Sequence, residues 1–190
     1  MTDNHGSSLP EVAEAPAFDG RAFRRALGQF ATGVAIVTAH GGAGEAIGLT
    51  MSSFNSVSID PPLILFSADR KALSLPAMLA AKGYAVNILS RGQEHLSNQF
   101  ARAQADKWAA VSHQAGHAEA PLLKDALAHF ECEPYAHYDG GDHVIFVGRV
   151  VRFSTLEASE TQPLLFFRGK YHGVDAEGER APLWPLPIHY

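Results

Sequence analysis

The feature that most limits the possible folds of this chain is a pair of long β-favouring stretches at 126–137 and 143–153. They are separated by Tyr138-Asp-Gly-Gly-Asp142, and two adjacent glycines in a short polar segment are typical of a hairpin turn. In the second stretch, Val144-Ile-Phe-Val-Gly-Arg-Val-Val151 is largely apolar on both strand faces. Such a strand is covered on two sides or lies within a barrel. We therefore expect a long antiparallel hairpin of this kind.

Shorter elements precede and follow the hairpin. Asp19 offers an N-cap for an amphipathic helix that runs up to Gly33 and exposes its arginines. Apolar runs and periodicity predict strands at 34–38, 46–50, 63–66, 84–89 and 164–167, helices at 73–81 and 93–103, and a loop at 112–121. Because many strands follow one another in hairpin order with a few helices interposed, we predict a mainly β fold with helices, an antiparallel barrel and not a parallel α/β sheet.

Length and composition predict one domain with two tails. The chain has 190 residues, of which 46% are hydrophobic and 18% charged, as is typical of a soluble globular protein. We expect a mobile N-terminal tail at 1–17, the barrel domain at 18–174 and an extended, proline-rich tail at 175–190.

Charge and hydropathy exclude several classes of partner. The net charge of −5 and the scattered basic residues give no reason to expect nucleic acid. No apolar run is long enough to span a bilayer, and residues 1–16 are polar and Ala/Pro-rich, unlike a signal peptide. The single Cys132 cannot form an internal disulfide. We therefore expect a cytoplasmic protein without a membrane partner.

The segment 50–62 combines five hydroxyl side chains with a terminal proline pair. On a strand Thr50 and Ser52 share one face and Ser53 points to the other, so the two serines can serve one ligand only where the strand breaks. A strand that runs into an irregular turn lets hydroxyls and N–H groups converge on a phosphate. The prolines cannot donate ladder hydrogen bonds, which favours a sheet edge or a loop. The spacing alone leaves open whether this is an anion site or a serine-rich surface turn.

Other familiar sites are not indicated. The glycine cluster at 41–44 lacks the last glycine of the dinucleotide fingerprint, because Ile47 takes that position. His113 and His117 have helical spacing in a segment without a helical pattern, so we predict no metal site. No G-x-S-x-G nucleophile motif is present. Cys132 lies between two glutamates, whose charges raise a thiol pKa and oppose thiolate formation.

One histidine stands out from the others by its position. His143 directly follows the Gly-Gly turn, at the mouth of the long apolar strand. There it is either a hairpin-end histidine at the surface or a group at a barrel rim that a substrate can reach. The local pattern favours the first interpretation.

Four motifs occur along the chain in a characteristic order. They are Phe30-Ala-Thr-Gly-Val-Ala-Ile-Val-Thr38; Gly48-Leu-Thr-Met-Ser-Ser-Phe-Asn-Ser-Val-Ser58 followed by Pro61-Pro-Leu63; Tyr84-Ala-Val-Asn-Ile-Leu89 with Phe100-Ala101; and Gly141-Asp-His-Val-Ile-Phe-Val-Gly-Arg-Val150. Together they resemble the short-chain flavin reductases, the reductase components of two-component flavin-dependent monooxygenases. The resemblance covers about residues 20–173.

This resemblance implies a fold, a reaction and partners. The implied fold is an FMN-binding split barrel, usually a homodimer with the flavin near the subunit interface. The implied reaction is hydride transfer from NADH or NADPH to FMN or FAD. Reduced flavin would then diffuse to an oxygenase component. The sequence distinguishes neither FMN from FAD nor NADH from NADPH.

The resemblance also assigns flavin-binding residues. Those on the ribityl-phosphate side are Thr50, Ser52, Ser53 and, from the motif Lys71-Ala-Leu-Ser74, Ser74. Those that face the isoalloxazine ring are Thr32, Gly33, Val57 and Ser58. His143 matches the histidine of a Gly-Asp-His motif associated with nicotinamide binding, and Tyr171 falls near a C-terminal motif that lines the same site.

Two other classes of protein remain as alternatives. A flavin- or haem-binding split-barrel protein would share the barrel without nicotinamide-dependent activity, although His143 argues mildly against it. A non-catalytic dimeric binding module would explain the apolar strands and a ligand loop, and would not oxidise NADH.

Overall fold

A computed structural model describes residues 18–42, 44–102, 106–157 and 161–174; both expected tails, 1–17 and 175–190, lie outside them. The helices are α1 Gly20–Leu27, α2 Leu75–Ala80 and α3 Glu94–Ala101. None of the described helices is long and apolar enough to cross a membrane. The strands are β1 Thr32–Gly33, β2 Ala35–His40, β3 Ala46–Met51, β4 Asn55–Ser58, β5 Leu63–Asp69, β6 Tyr84–Ile88, β7 His113–Ala115, β8 Pro121–Leu123, β9 Ala128–Gly140, β10 His143–Thr155, β11 Leu165–Phe167 and β12 Lys170–His172.

The main sheet is antiparallel and has the strand order β3-β2-β6-β9-β10-β5-β4. Strands β3 and β4 form its two edges, so the sheet is curved around the core without closing. A small sheet of order β1-β11-β12 and the pair β7-β8 complete the described strands. The mainly β, antiparallel fold with helices is confirmed. The stretch before the proline pair forms β4 at a sheet edge, which is also confirmed.

The long hairpin is formed by β9 and β10. Its register pairs His143 with Gly140, which leaves Gly141 and Asp142 as the turn. Gly141 has a φ of +76°, a left-handed conformation that favours glycine. The hairpin predicted from the two adjacent glycines is therefore confirmed, and it places His143 at one end of the sheet.

The cover over β10 ends half-way along the strand. Val144, Phe146 and Val147 are buried, whereas Val151 and Phe153 are 43% and 69% exposed. The prediction that both faces of β10 are buried is therefore confirmed, within one chain, only for the first half of the strand. The second half presents apolar side chains to solvent.

The main core is centred on three aromatic rings. Phe66 stacks on Phe146 with ring centroids 5.0 Å apart, and Tyr84 meets both rings edge-on. All three side chains are fully buried. Such contacts add about 0.5–1.5 kcal/mol per pair to the free energy gained by burial. The cluster fixes β5, β6 and β10 relative to one another.

A second core lies on the opposite face of the sheet. Ile36 of β2 and Leu89 after β6 pack there against Phe100 of α3, and all three are fully buried. The Phe100 ring lies so close to β3 that a side chain at Gly48 would overlap it. This packing holds α3 against the edge strand β3, beside the serine-rich segment.

The prediction for the first helix is partly wrong. Asp19 is the N-cap as expected, and its Oδ1 accepts hydrogen bonds from the N–H groups of Arg21 and Ala22. However, the helix ends at Leu27 and does not reach Gly33. The reason is that Thr32–Gly33 pairs with β11 as a strand, which requires extended backbone.

The predicted loop at 112–121 is also wrong, because β7 pairs antiparallel with β8 in this region. Leu122 and Leu123 of β8 are buried. The buried Asn87 accepts a hydrogen bond from the Leu123 N–H at 2.8 Å. The two buried leucines and the hydrogen bond to Asn87 stabilise β8. The strand is too short to show the alternation of apolar and polar residues that predicts a strand.

Glu131 of β9 is a buried charged residue, and it is only 4% exposed. Its carboxylate accepts hydrogen bonds from Nε and Nη2 of Arg152 at 2.6 and 2.7 Å, and from the His117 N–H at 2.6 Å. The Arg152 hydrogen bonds are the main cause of a lowered Glu131 pKa. The carboxylate therefore joins β9, β10 and the segment between β7 and β8.

We expect Glu131→Gln to lower the free energy of unfolding by about 2 kcal/mol at neutral pH, because charge-assisted hydrogen bonds are lost. The lowered pKa means that Glu131 stabilises the fold above its ordinary value of 4.5 and stops doing so as the pH falls through the folded value. Urea unfolding at neutral and acid pH should show the gap between wild type and variant closing as the pH falls. Glu133→Gln, at an exposed position on the same strand, is the control and should change stability much less. A constant gap would contradict this account.

Candidate functional site

A cavity of about 360 Å³ lies where β3, β5 and the turn end of β10 meet. The polar residues that line it are Thr50, Ser52, Ser53, Ser67, Asp69 and His143. Strand β3 ends at Met51, so the break that adjacent serines require is present. Four of the residues assigned from the sequence are thus brought together in one cavity.

The hydroxyls of this cavity differ in what they can still bind. Thr50 donates its proton to the Ser97 carbonyl at 2.7 Å. The Ser53 hydroxyl accepts from the Ser67 N–H at 2.9 Å and is 3.3 Å from the Ser67 carbonyl. These bonds anchor the segment to α3 and β5. Ser52 is exposed to solvent and therefore has the accessible hydroxyl.

His143 stands at the mouth of the cavity with its side chain 42% exposed. Its Nδ1 lies 2.7 Å from Oδ1 of Asp142. The pKa of Asp142 is lowered chiefly by this hydrogen bond, so the carboxylate is ionised and can only accept. An ionised carboxylate requires Nδ1 to donate, which leaves Nε2 as the ring nitrogen that can hydrogen-bond to a ligand.

A second cavity of about 440 Å³ adjoins the first, and Leu49, Ala72 and Ala101 line both. Ser74 lies in this second cavity, apart from the other serines. Lys71 and Arg102 also line it, and both are exposed. Their charges suit a phosphate, since Glu45 is the one acidic side chain among the described residues that line this cavity.

The far wall of the second cavity is held by Lys107 and Trp108. Lys107 Nζ donates to the Phe100 carbonyl at 3.0 Å, and Trp108 Nε1 donates to the Ala46 carbonyl at 2.7 Å. Burial lowers the pKa of Lys107. These two side chains fix the segment after α3 to β3, whereas Lys71 and Arg102 remain accessible to a ligand.

Tyr171 is connected to the first cavity through α3. Its hydroxyl lies 2.8 Å from the hydroxyl of the fully buried Ser97, whose carbonyl accepts the Thr50 hydrogen bond. Thr32 belongs to the same small sheet and pairs with Phe166, whose ring is 5.6 Å from that of Tyr171. Thr32 and Tyr171 therefore lie in one sheet beside α3.

Val57 and Ser58 are not brought to these cavities. Both lie on the edge strand β4, and the Val57 side chain is 42% exposed. Gly33, next to Thr32 in β1, is also solvent-exposed and lines neither cavity. Within a single chain, the residues assigned to the flavin ring are thus apart from those assigned to the phosphate.

The sequence pattern missed several residues of the site. Lys71 belongs to the motif that predicts Ser74 but has no predicted role of its own, and no sequence pattern indicates Arg102. Asp69 faces His143 across the β5–β10 register. The signal that could have found Lys71 is its position just after a strand that ends beside the serine segment.

Cys132 is remote from this chemistry. Burial, with a smaller contribution from the Glu131 charge, raises the pKa of its thiol to about 12. The unreactive thiol inferred from the sequence is therefore supported, although burial contributes more than the neighbouring charge.

Comparisons with known proteins agree on one family. The family model described as "Flavin reductase like domain" matches residues 27–175. A probable flavin reductase of Rhizobium meliloti (strain 1021) is 44% identical over 157 residues, which are 83% of this chain and 50% of that protein. The chain thus spans about half the length of this relative. The NADH-dependent flavin reductase StyB of Pseudomonas fluorescens is 39% identical, over 90% of this chain and 94% of its own.

A solved structure has the same fold. It is nitrilotriacetate monooxygenase component B from Mycobacterium thermoresistibile, with a TM-score of 0.85 and 36% sequence identity. The match covers 93% of this chain and 98% of that one. The open antiparallel sheet described above is therefore shared with this protein along nearly its whole length.

Proposed function

Because this chain belongs to the flavin reductase like domain family, we propose that it is an NAD(P)H:flavin oxidoreductase. The proposed reaction moves a hydride from the nicotinamide ring of NADH or NADPH to N5 of FMN or FAD. Reduced flavin would then leave by diffusion for a separate oxygenase component. Two of the relatives, an NADH-dependent flavin reductase and a monooxygenase component, support flavin reduction by a nicotinamide and an oxygenase partner.

One observation carries the proposal. His143 opens into the same cavity as the exposed hydroxyl of Ser52, and that cavity is continuous with one lined by Lys71, Arg102 and Ser74. A group that can bind the nicotinamide, apolar walls and a phosphate-binding end therefore lie in two adjoining cavities. The cavity volumes fall in the range of small-molecule sites, about 300–1,000 Å³. The residues present thus fit the phosphate and ribityl chain of a flavin, while the residues assigned to its ring lie elsewhere on the same chain.

The residues can be assigned to parts of the ligands. We place the flavin phosphate near Ser74, Lys71 and Arg102, and the ribityl chain near Ser52. Thr50 and Ser53 shape this wall through bonds to Ser97 and Ser67. His143 receives the nicotinamide end of NAD(P)H at its Nε2. The assignment of Thr32, Gly33 and Tyr171 to the same site remains part of this proposal.

In the proposed reaction the protein acts mainly by positioning the flavin and the nicotinamide, and it supplies no reactive group of its own. Hydride transfer requires no nucleophile and no metal ion, so the site has to hold two rings in contact and orient them. Orientation of this kind can lower a barrier by several kcal/mol. Neutral hydroxyls with two exposed cations give moderate affinity, because the cations stay hydrated. Moderate affinity suits a flavin that has to leave.

We also propose that the protein is a homodimer that works in the cytoplasm. The large apolar side chains Val57, Ile59, Val151 and Phe153 are between 42% and 74% exposed. They lie on β4, on the turn after it and on β10. The Val150 N–H donates to the Pro62 carbonyl, so the turn lies next to β10, whereas β5 separates β4 from β10 in the sheet. We call these side chains the apolar end patch. An exposed patch of this kind is typical of a subunit interface, and a free thiol suits a reducing compartment.

A steady-state assay tests the proposed function. Purified protein is mixed with NADH or NADPH and with FMN, FAD or riboflavin, and the nicotinamide absorbance is followed. We expect nicotinamide oxidation that requires both the protein and a flavin. A protein that binds flavin without consuming NADH or NADPH would instead be the storage or sensing alternative. A protein that does neither would be a binding module of another kind.

We expect Ser74→Ala to weaken FMN binding about fivefold, the equivalent of one hydrogen bond of about 1 kcal/mol. Riboflavin, which lacks the phosphate, should bind the variant and the wild type equally. Titration of each flavin by fluorescence measures both affinities. Ser56→Ala, an exposed serine outside both cavities, is the control. Equal weakening of riboflavin and FMN would remove Ser74 from the phosphate side.

A further inference from the structure

Arg70 connects the end of β5 to the turn that carries His143. Its backbone N–H donates to the Asp142 carbonyl at 2.9 Å, and its Nε donates to the Gly141 carbonyl at 2.8 Å. Its Nη2 lies 3.2 Å from Oδ2 of Asp139. One side chain therefore contacts the turn at two points, in addition to the backbone hydrogen bond.

A second residue, Asp139, joins Arg70 to the backbone of the turn. Asp139 Oδ1 accepts a hydrogen bond from the Gly141 N–H at 2.8 Å, while its other oxygen meets Arg70. The Gly141 hydrogen bond is the main cause of a lowered Asp139 pKa, and Arg70 lowers it further. The carboxylate is thus ionised and joins the guanidinium to the left-handed Gly141. These groups contact the turn residues Gly141 and Asp142, which directly precede His143 at the start of β10.

We propose that Arg70 is a positioning residue for nicotinamide binding, which acts by holding the hairpin turn so that Asp142 orients the His143 ring toward the cavity. Arg70 lines neither cavity and therefore has no direct contact with a ligand there. The inference rests on the proposed function, because it takes His143 to receive the nicotinamide.

The same contacts contribute little to the stability of the fold. The side chains of Arg70 and Asp139 are 44% and 79% exposed, and exposed ion pairs are worth little. A variant at Arg70 should therefore fold. Its effect should appear in the order of the turn and in nicotinamide binding.

The test uses Arg70→Met, which keeps the length of the side chain and removes its hydrogen bonds. We expect the KM for NADH to rise about fivefold, with the flavin affinity unchanged. NAD⁺ binding by calorimetry should weaken by the same factor, and amide hydrogen exchange at residues 139–143 should accelerate. Arg70→Lys, which retains the charge near Asp139, should restore part of the affinity.

The matched control is Arg149→Met. Arg149 of β10 forms a comparable exposed ion pair, 2.9 Å from Glu133 of β9, within the same hairpin but away from the turn. It should leave the NADH KM and the exchange at 139–143 as in the wild type. Equal effects at Arg149 and Arg70 would overturn the inference, because they would indicate general loosening of the hairpin.

A double-mutant cycle decides whether Arg70 acts through His143. In a His143→Ala background, Arg70→Met should cause no further rise in the NADH KM. A full fivefold rise there would overturn the inference. If Arg70→Met kept the wild-type NADH affinity and the wild-type hydrogen exchange at 139–143, the inference would also be overturned, but the proposed function would not be affected. Absence of flavin-dependent NADH oxidation in the unmodified protein would remove the proposed function and the inference with it.

Discussion

His143→Ala is expected to raise the KM for NADH tenfold or more. The variant loses one hydrogen bond to the nicotinamide and the contact of the imidazole ring with it, at a partly desolvated site. The flavin affinity should change little, because Ser74, Lys71 and Arg102 lie in the adjoining cavity. Steady-state kinetics with varied NADH, combined with a flavin titration of the same variant, measures both quantities.

The control for this variant is His95→Ala. His95 is also exposed, and its Nδ1 is 3.1 Å from the Gly92 carbonyl, but it lies outside both cavities. It should behave as the wild type. If His143→Ala weakened flavin and NADH binding equally, the residue would belong to the flavin part of the site and its proposed role would be wrong.

Phe153→Arg is expected to separate the proposed homodimer into monomers. Phe153 is 69% exposed at the centre of β10's uncovered half, and a buried aromatic residue at an interface typically contributes about 2 kcal/mol or more. The dimer dissociation constant should therefore rise at least about thirtyfold. Light scattering after size-exclusion chromatography measures the mass directly.

Dissociation should also reduce flavin-dependent activity at low protein concentration. Val57 belongs to the apolar end patch and Ser58 lies next to it on β4, and neither lines the two cavities of its own chain. Their assignment to the flavin ring is consistent only with a site that a second copy completes. Leu79→Arg, on the exposed side of α2, introduces the same charge elsewhere and should leave the mass and the activity unchanged. A monomeric wild type with full activity would contradict the dimeric site.

The elements that could be predicted best are those whose sequence pattern lies within one continuous segment. The hairpin at 138–142 could be located because two glycines interrupt two long apolar stretches. The end of α1 and the pair β7-β8 could not, because each depends on a distant partner. Thr32 and Gly33 pair with β11, and Leu123 donates to Asn87.

The individual hydrogen bonds of the site also depend on distant partners, so they could not be predicted from the sequence. The break between β3 and Ser53 could be predicted from the adjacency of two serines. The spacing could not show that the Thr50 proton is donated to Ser97, or that the Ser67 N–H occupies the Ser53 hydroxyl. Nor could it show that Arg102 reaches the same groove from the end of α3. Contacts between segments far apart in the chain decide which hydroxyls and cations remain available.

The central claim is that this protein brings a nicotinamide and a flavin together for hydride transfer. The most direct measurement is anaerobic stopped-flow mixing of the protein and FMN or FAD with NADH, and with NADH deuterated at the transferred position. We predict bleaching of the flavin with one NADH consumed per flavin reduced, and a slower rate with the deuterated donor. Flavin reduction no faster than in buffer without protein would contradict the account.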